Sequence, residues 1–334
     1  MDPLTQGALG ASLPLATRGR RFAALAATLG FAAGVTADLD VLIRSDTDAL
    51  LFLEYHRQFT HALVFAPVGG LITAGVLWAA FRRRLPLSFL QTFLFCVLGY
   101  ATHGLLDAAT SYGTMLFWPF SDKRIAWNLI SVVDPLFTLP VLALVITGMI
   151  RGSGRWGRLA LAWAAFYLCL GAVQHHAALA MGRDMAAGRG HAPLRLEVKP
   201  SFANLLVWKV VYETDDRFHV DAVRVGVNPR VLPGASIDKL DTGRDLPWLN
   251  PESQQARDLE RFRRFSDGFL ARDPDRPNHV MDVRYSFIPN EVSPLWSIRL
   301  SPDAAQDQHV TFETHRSDAD RRLGDLWRLI SDAP

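Results

Sequence analysis

The stretch FAALAATLGFAAGVTADLDVLI, Phe22–Ile43, decides how this chain is read. No side chain from Phe22 to Ala37 is charged, and two carboxylates, Asp38 and Asp40, stand at its end. A hydrocarbon core about 30 Å thick is crossed by roughly 20 helical residues, so this run is long enough to span a bilayer. Four further stretches pass the same test: Phe59–Phe81, Leu87–Ala109, Leu129–Ile150 and Leu159–Met181. Since further spans follow and no small-residue cleavage site is evident, the first is not a removable signal peptide. The apolar opening, Met1–Ala16, is short for a span and contains Pro14, which predicts a segment at the interface or packed against the bundle.

Composition divides near Met181. The averages of 49% hydrophobic and 20% charged residues over 334 hide long apolar runs before it and frequent charges and prolines after it. The reading is an all-α transmembrane bundle of about five spans over residues 1–181, a linker over 182–194 and a smaller α+β extramembrane domain over 195–334. In that tail, Asn204–Glu213, Phe218–Val225, His279–Phe287, Leu295–Leu300 and His309–His315 are short, β-branched and aromatic, as strands are. Glu252–Ala271 and Arg316–Ile330 have helical apolar spacing. Cys96 and Cys169 lie inside predicted spans and read as apolar core residues.

Alternate connections carry TRGRR (Thr17–Arg21), RRR (Arg82–Arg84) and RGSGRWGR (Arg151–Arg158), while the others mix Asp46, Asp48 and Glu54 with few cations. Basic connections face the cytoplasm, so the Asp48–Gln58 and Ala109–Asn128 connections and the whole tail after Met181 face outward.

Ionisable groups at membrane depth are costly and each needs a reason. An up-and-down topology brings Asp38, Asp40, His56, His61, His103, Asp107 and Asp134 to one side. His103 and Asp107 are four apart, on one helix face. Imidazole with carboxylate suits zinc first, with manganese or non-haem iron as alternatives. Asp38 and Asp40 are about 200° apart on a regular helix, so either the helix ends there and both ligate, or one orients a histidine. His56 joins His61 on one ion only if it belongs to a loop. Arg57, four before His61, and Arg124 in PFSDKR are candidates to hold an anionic oxygen with their planar forks. Ser121 could join them. Asp134 before Pro135 reads as a helix cap, and His175 and His176 lack a nearby carboxylate. No H-E-x-x-H, P-loop or Rossmann glycine motif is present.

These residues carry a resemblance. MDPLTQGALGA, ADLDVL, HRQFTHALVF and HGLLDAATSYGTMLFWPFSDKRIAWNLISVVDPLFTLP, all before about Pro140, resemble the YdjM-type inner-membrane metal-dependent hydrolases. That family is grouped with zinc-dependent bacterial phospholipase C and related nucleases, whose H-x-x-x-D pairs hold zinc; His103 and Asp107 match the pattern. Ala37 and Ala62 depart from it, standing where a proline and a serine are common, and neither removes a proposed ligand. The expectation is a metal-dependent hydrolase with Asp38, Asp40, His56, His61, His103 and Asp107 as metal residues, Arg57 and Arg124 as anion contacts, the bilayer and a lipid or phosphoester as partners, and no nucleic acid. Its rivals are a structural metal site with a partner-binding tail and an ion pathway, the latter disfavoured by spans without polar residues in their middles.

Overall fold

The computed structural model describes residues 1–17, 19, 21–84, 86–315 and 319–331. Arg18 and Arg20 of the TRGRR segment, and the first residues of the expected final helix, lie outside them. The chain forms two compact units, one of Met1–Leu42, Tyr55–Ala172 and Phe202–Asn204, the other of Ile43–Glu54, Val173–Ser201 and the chain from Leu205 onward.

The first unit is helical. Helix α1, Pro3–Ala16, starts at Asp2, whose carboxylate accepts from the Thr5 amide at 3.0 Å, with Pro3 in its first turn. It packs inside the bundle against α2, Ala23–Thr36, which passes into a 3₁₀ turn over Ala37–Leu42. A five-residue helix α3, Leu51–Tyr55, and two single 3₁₀ turns precede α4, Ala66–Phe81. Helix α5, Phe89–Ala109, opens on a capping box in which Ser88 and Gln91 satisfy each other's amides. Helix α6, Pro135–Arg151, is capped by Asp134, and α7, Gly154–Gly188, runs on from the first unit into the second.

Small residues let these helices meet closely. A Cβ on Gly10 would fall 2.7 Å from the Gly30 carbonyl, and one on Gly99 would fall 2.3 Å from the same oxygen. Without a hydrophobic drive between helices in lipid, such backbone approach is what packing relies on.

Among the described residues, four helical segments are long and apolar enough to cross a membrane: Ala23–Leu42, Leu63–Phe81, Phe89–Ala109 and Gly154–Gly188. The expected span Leu129–Ile150 is shorter, beginning only at Pro135 with 17 residues, because the Asp134 carboxylate caps the helix there. The expected linker is helical as far as Gly188.

The second unit carries two antiparallel four-stranded sheets. The first orders β1 (Arg195–Pro200), β2 (Val207–Glu213), β3 (Arg217–Arg224) and β4 (Arg230–Asp238) side by side. After α8 (Thr242–Asp245) and α9 (Gln254–Phe265), the second orders β5 (Leu270–Arg272), β6 (His279–Asp282), β7 (Trp296–Arg299) and β8 (Thr311–Thr314). Helix α10, Ala319–Ser331, closes the described chain. Val211, Phe218 and Val220 of the first sheet share one apolar core with Ala271 and Met281 of the second and with Phe269 just before β5.

Candidate metal centre

Asp107 is fully buried near the end of α5, one turn after His103. The 3₁₀ turn over Ala37–Leu42 brings Asp38 and Asp40 to the same place, and the turn Phe59–His61 brings His61. Donor atoms of Asp38, His61, His103 and Asp107 all lie within 4.8 Å of one another.

The spacing is close to that of a metal shell. His61 Nε2 stands 3.0 Å from His103 Nε2, 3.4 Å from Asp38 Oδ1 and 3.2 Å from Asp107 Oδ2. His103 Nε2 stands 3.4 Å from Asp38 Oδ1 and 3.8 Å from Asp107 Oδ2. A tetrahedral ion with bonds of about 2.0–2.1 Å has ligand-to-ligand edges of about 3.3–3.4 Å, near the middle of that set.

The proton positions agree. His103 Nδ1 lies 2.6 Å from the Gly34 carbonyl, which can only accept, so Nδ1 donates and a neutral ring turns an Nε2 lone pair into the centre. His61 Nδ1 lies 2.9 Å from Thr60 Oγ1, whose own proton goes to Asp40 Oδ2 at 2.7 Å, so the same tautomer follows. With Nδ1 protonated on each ring, the two Nε2 atoms at 3.0 Å can share a cation, either a proton on His61 Nε2 or a metal ion beside both. Asp107 Oδ2 faces His61 Nε2 at 3.2 Å and is balanced from its other side by Arg57 Nε at 3.0 Å, without a well-aligned hydrogen bond to either. The residues therefore fit a zinc-class ion.

Asp40 serves differently from Asp38. Besides Thr60, it accepts from the Arg57 amide at 3.0 Å and from His56 Nδ1 at 2.8 Å, and its Oδ2 lies 3.3 Å from His61 Nδ1. This is how a carboxylate orients a ligating histidine from behind. His56 groups with Asp38 and Asp40 rather than with His61, since it lies in the loop before that turn.

Both arginines expected to contact an anion are committed within the protein. Arg57 has the left-handed φ of 63°, fixed by its own amide on Asp40 and by the Met115 amide on its carbonyl at 2.9 Å. Its guanidinium is buried, with Nε 3.0 Å from Asp107 Oδ2 and Nη1 donating to Thr110 Oγ1 at 3.1 Å. Arg124 donates from Nη1 and Nη2 to the His56 carbonyl, each at 3.2 Å, and from Nη1 to the Gly113 carbonyl at 3.3 Å, bracing the loop that carries His56. Ser121 accepts from the Lys123 amide at 3.2 Å.

Asp134 stays outside the centre; both its oxygens accept from the Tyr167 hydroxyl at 2.9 Å while it caps α6. His175 lies in the second unit, edge-on to Trp208 at 5.8 Å between ring centres.

Several members of the centre escape sequence reasoning. Gln6 of α1 donates to Asp107 Oδ1 at 2.8 Å, and the Met1 amino group touches the same oxygen. Gly104 allows the closest approach, since a Cβ there would fall 2.1 Å from the His61 carbonyl. A buried glutamine in an otherwise apolar helix is the signal that could have marked Gln6. A third His–Asp group, Asp48, Asp258 and His309, sits in the second unit. Arg261 already occupies it, donating to both oxygens of Asp48 at 2.9 Å and to Asp258 Oδ1 at 2.8 Å.

Apolar helices around an inward-facing His–Asp cluster define a multi-span membrane protein with a candidate buried metal centre. More particularly, the chain belongs to the YdjM inner membrane protein family, whose model matches residues 1–178. It is 28% identical over 116 residues to the uncharacterized protein YfhP of Bacillus subtilis (strain 168), covering 35% of this chain and 34% of that one. It is 37% identical over 81 residues to the inner membrane protein YbcI of Escherichia coli (strain K12), covering 23% of this chain and 44% of that one. The chain thus spans less than half the length of either relative. No solved structure matches.

Proposed function

We propose that this protein is a metal-dependent hydrolase of the bacterial inner membrane, acting on a phosphoester or a similar anionic substrate. The observation that carries the reading is the convergence of two imidazole Nε2 atoms and two carboxylates at metal-shell spacing, with both rings oriented from behind. Zinc is the first choice of ion, with manganese or iron as alternatives. When bound, such an ion supplies Lewis acidity and lowers the pKa of a water towards 7.

The chain's own residues supply the rest. His61, His103 and Asp107 form the fully buried floor of the centre. Asp38, with 19% side-chain exposure, is the member a substrate meets first. Asp40 holds the orientation of His61 and His56. Arg57 lowers the negative charge of the centre by lying against Asp107, and so favours an anionic substrate electrostatically, without a direct fork to it. The basic connections at the other ends of the helices point to the cytoplasm, which turns the centre and the tail towards the periplasm.

A second reading has one observation in its favour. Four protein donors can close a tetrahedral shell, as in structural zinc sites. Metal analysis of detergent-purified protein separates the two, followed by a panel of phosphoesters and phospholipids. The hydrolase reading expects bound metal and turnover in the wild type, both lost in the double variant His103→Ala/Asp107→Ala. It expects Asp38→Ala to retain metal while losing turnover. Metal-free wild-type protein from metal-replete cells sinks both readings, and metal without turnover on any substrate leaves the structural one.

A further inference from the structure

The far end of the helical unit holds a second feature, separate from the His–Asp centre. Residue Gln6 near the start of α1 touches Asp107, whereas Ala16 at its other end lines a cavity of about 360 Å³. The ten-residue step from Gln6 to Ala16 along α1 places about 15 Å between those two levels. Thr17, Ser153, Arg155 and Arg158 also line the cavity, and no carboxylate does among the described residues. It lies where the α6–α7 connection, which carries Arg151, Arg155 and Arg158, meets Ala16, Thr17 and Gly19 at the end of α1.

Both lining arginines are exposed, and neither forms an ion pair with a carboxylate among the described residues. Arg155 lies over the Trp156 ring at 5.2 Å, and Arg158 donates to the Ala16 carbonyl at 3.3 Å, so each guanidinium is held at the cavity while keeping donors to offer. Arg151 lies against the same indole at 5.7 Å. Ile150, 81% exposed, and Leu159, 49% exposed, flank the connection with apolar surface. Cationic donors beside lipid-facing apolar side chains match a ligand with a phosphate at one end and hydrocarbon at the other.

We propose that this cavity binds the phosphate of an anionic membrane lipid. Arg155 and Arg158 hold the phosphate oxygens, Ser153 Oγ adds a neutral donor, and the acyl chains run along the apolar side chains of α6 and α7. A free phosphate shares the charge but gains nothing from Ile150 or Leu159, which is why the lipid is the assigned source.

Retention of phosphatidylglycerol against phosphatidylcholine is measured on the full chain by native mass spectrometry and in nanodiscs of each lipid. Basic side chains near an anionic headgroup contribute about fivefold each, so Arg155→Gln/Arg158→Gln should lose the preference by roughly 30-fold. Because Arg158 also holds the Ala16 carbonyl, Arg155→Gln alone serves as a variant without that complication, with a loss of about fivefold. Arg82→Gln/Arg83→Gln, in the α4–α5 connection at the same end, should keep the preference. Equal losses in the two double variants would reveal general surface attraction and overturn the proposal, as would an unchanged preference in Arg155→Gln/Arg158→Gln. Inorganic phosphate that binds at millimolar concentration while phosphatidylglycerol does not compete overturns the lipid assignment.

Discussion

His61 Nε2 and His103 Nε2 face each other at 3.0 Å, and the Nδ1 of each ring is already engaged on an oxygen. That relationship joins two turns of chain 42 residues apart and makes Asp40 a determinant of affinity rather than a bystander. Asp40→Asn should keep the fold but weaken metal binding by about 10–100-fold, the usual cost of losing an orienting carboxylate behind a ligating histidine. Metal titration monitored by competition with a chromophoric chelator checks it. An unchanged affinity would show that His61 needs no such partner.

Gly104 fixes how near α5 comes to His61. A methyl group there would meet the His61 carbonyl at 2.1 Å, a backbone atom that cannot swing away. Gly104→Ala should therefore destabilise the protein by about 1–3 kcal/mol and reduce bound metal, since His61 must shift relative to His103. Gly75→Ala on α4 is the control, because a Cβ there meets nothing within 4 Å. Thermal unfolding in detergent with metal analysis compares them, and equal behaviour of the two variants would refute the close-approach argument.

Arg57 is buried against Asp107 Oδ2, so its removal strips that oxygen of its cation while the Met1 amino group and Gln6 stay on Oδ1. Arg57→Met should cost on the order of 3–5 kcal/mol in metal-free protein. A bound divalent cation restores positive charge next to Asp107, so added metal should recover more stability in this variant than in the wild type. Melting curves with and without zinc decide it, and equal gains in both proteins would count against a metal at Asp107.

Legibility in the sequence followed how local each relationship is. His103 and Asp107 could be paired from spacing alone because both ride one helix. The choice between two roles for Asp38 and Asp40 stayed open because it depends on the helix giving way to a 3₁₀ turn at Ala37, which no side-chain pattern announces. The forks of Arg57 and Arg124 look free for substrate in the sequence because their partners, Asp107 and the His56 and Gly113 carbonyls, come from chain distant from them. The apolar run from Leu129 is longer than the helix it contains, because apolar residues continue through a loop that Asp134 and Pro135 end. In the tail, β1, β4 and the three-residue β5 lie outside the expected strands, β5 at the end of the expected helix Glu252–Ala271; in β4, Pro233 and Gly234 interrupt an exposed edge strand, where such residues are tolerated.

Arg261 of α9 fastens the segment that precedes the centre in the chain. It donates to Asp48 and to Glu54 Oε1 at 2.7 Å as well as to Asp258. Burial pushes the Asp48 carboxyl up, and the hydrogen bonds from Arg261 outweigh this and hold it below the usual carboxylate range. Arg261→Ala should raise amide exchange across residues 43–54 by an order of magnitude or more, with little change in the β2 and β3 cores. Because the pairs are partly exposed, added salt should reproduce part of the effect in the wild type. Hydrogen exchange read by mass spectrometry checks this, and unchanged protection of 43–54 would show that Phe52, edge-on to Phe312 at 5.6 Å, holds the segment instead.

Lys209 lies buried in β2, its Nζ donating to Ser286 Oγ at 2.8 Å and to the Pro289 and Glu291 carbonyls at 3.3 and 3.1 Å. Burial pushes this amine down to about 7, below the 10.5 of an ordinary lysine. Between those values the unfolded chain holds a proton that the folded chain releases, so stability rises with pH from about 7 towards 10.5. Below pH 7 both states are protonated and the full cost of the buried charge is present. Lys209→Met removes this dependence: relative to wild type it gains most at pH 6–7 and loses the advantage as pH climbs. The three oxygens it leaves without their donor offset part of the gain by about 1–3 kcal/mol each where water cannot reach them. The diagnostic is therefore the slope rather than the absolute stability. Melting temperatures of full-length wild type and Lys209→Met across pH 6–10 should converge or cross as pH rises, and parallel curves would mean that Lys209 keeps its proton throughout.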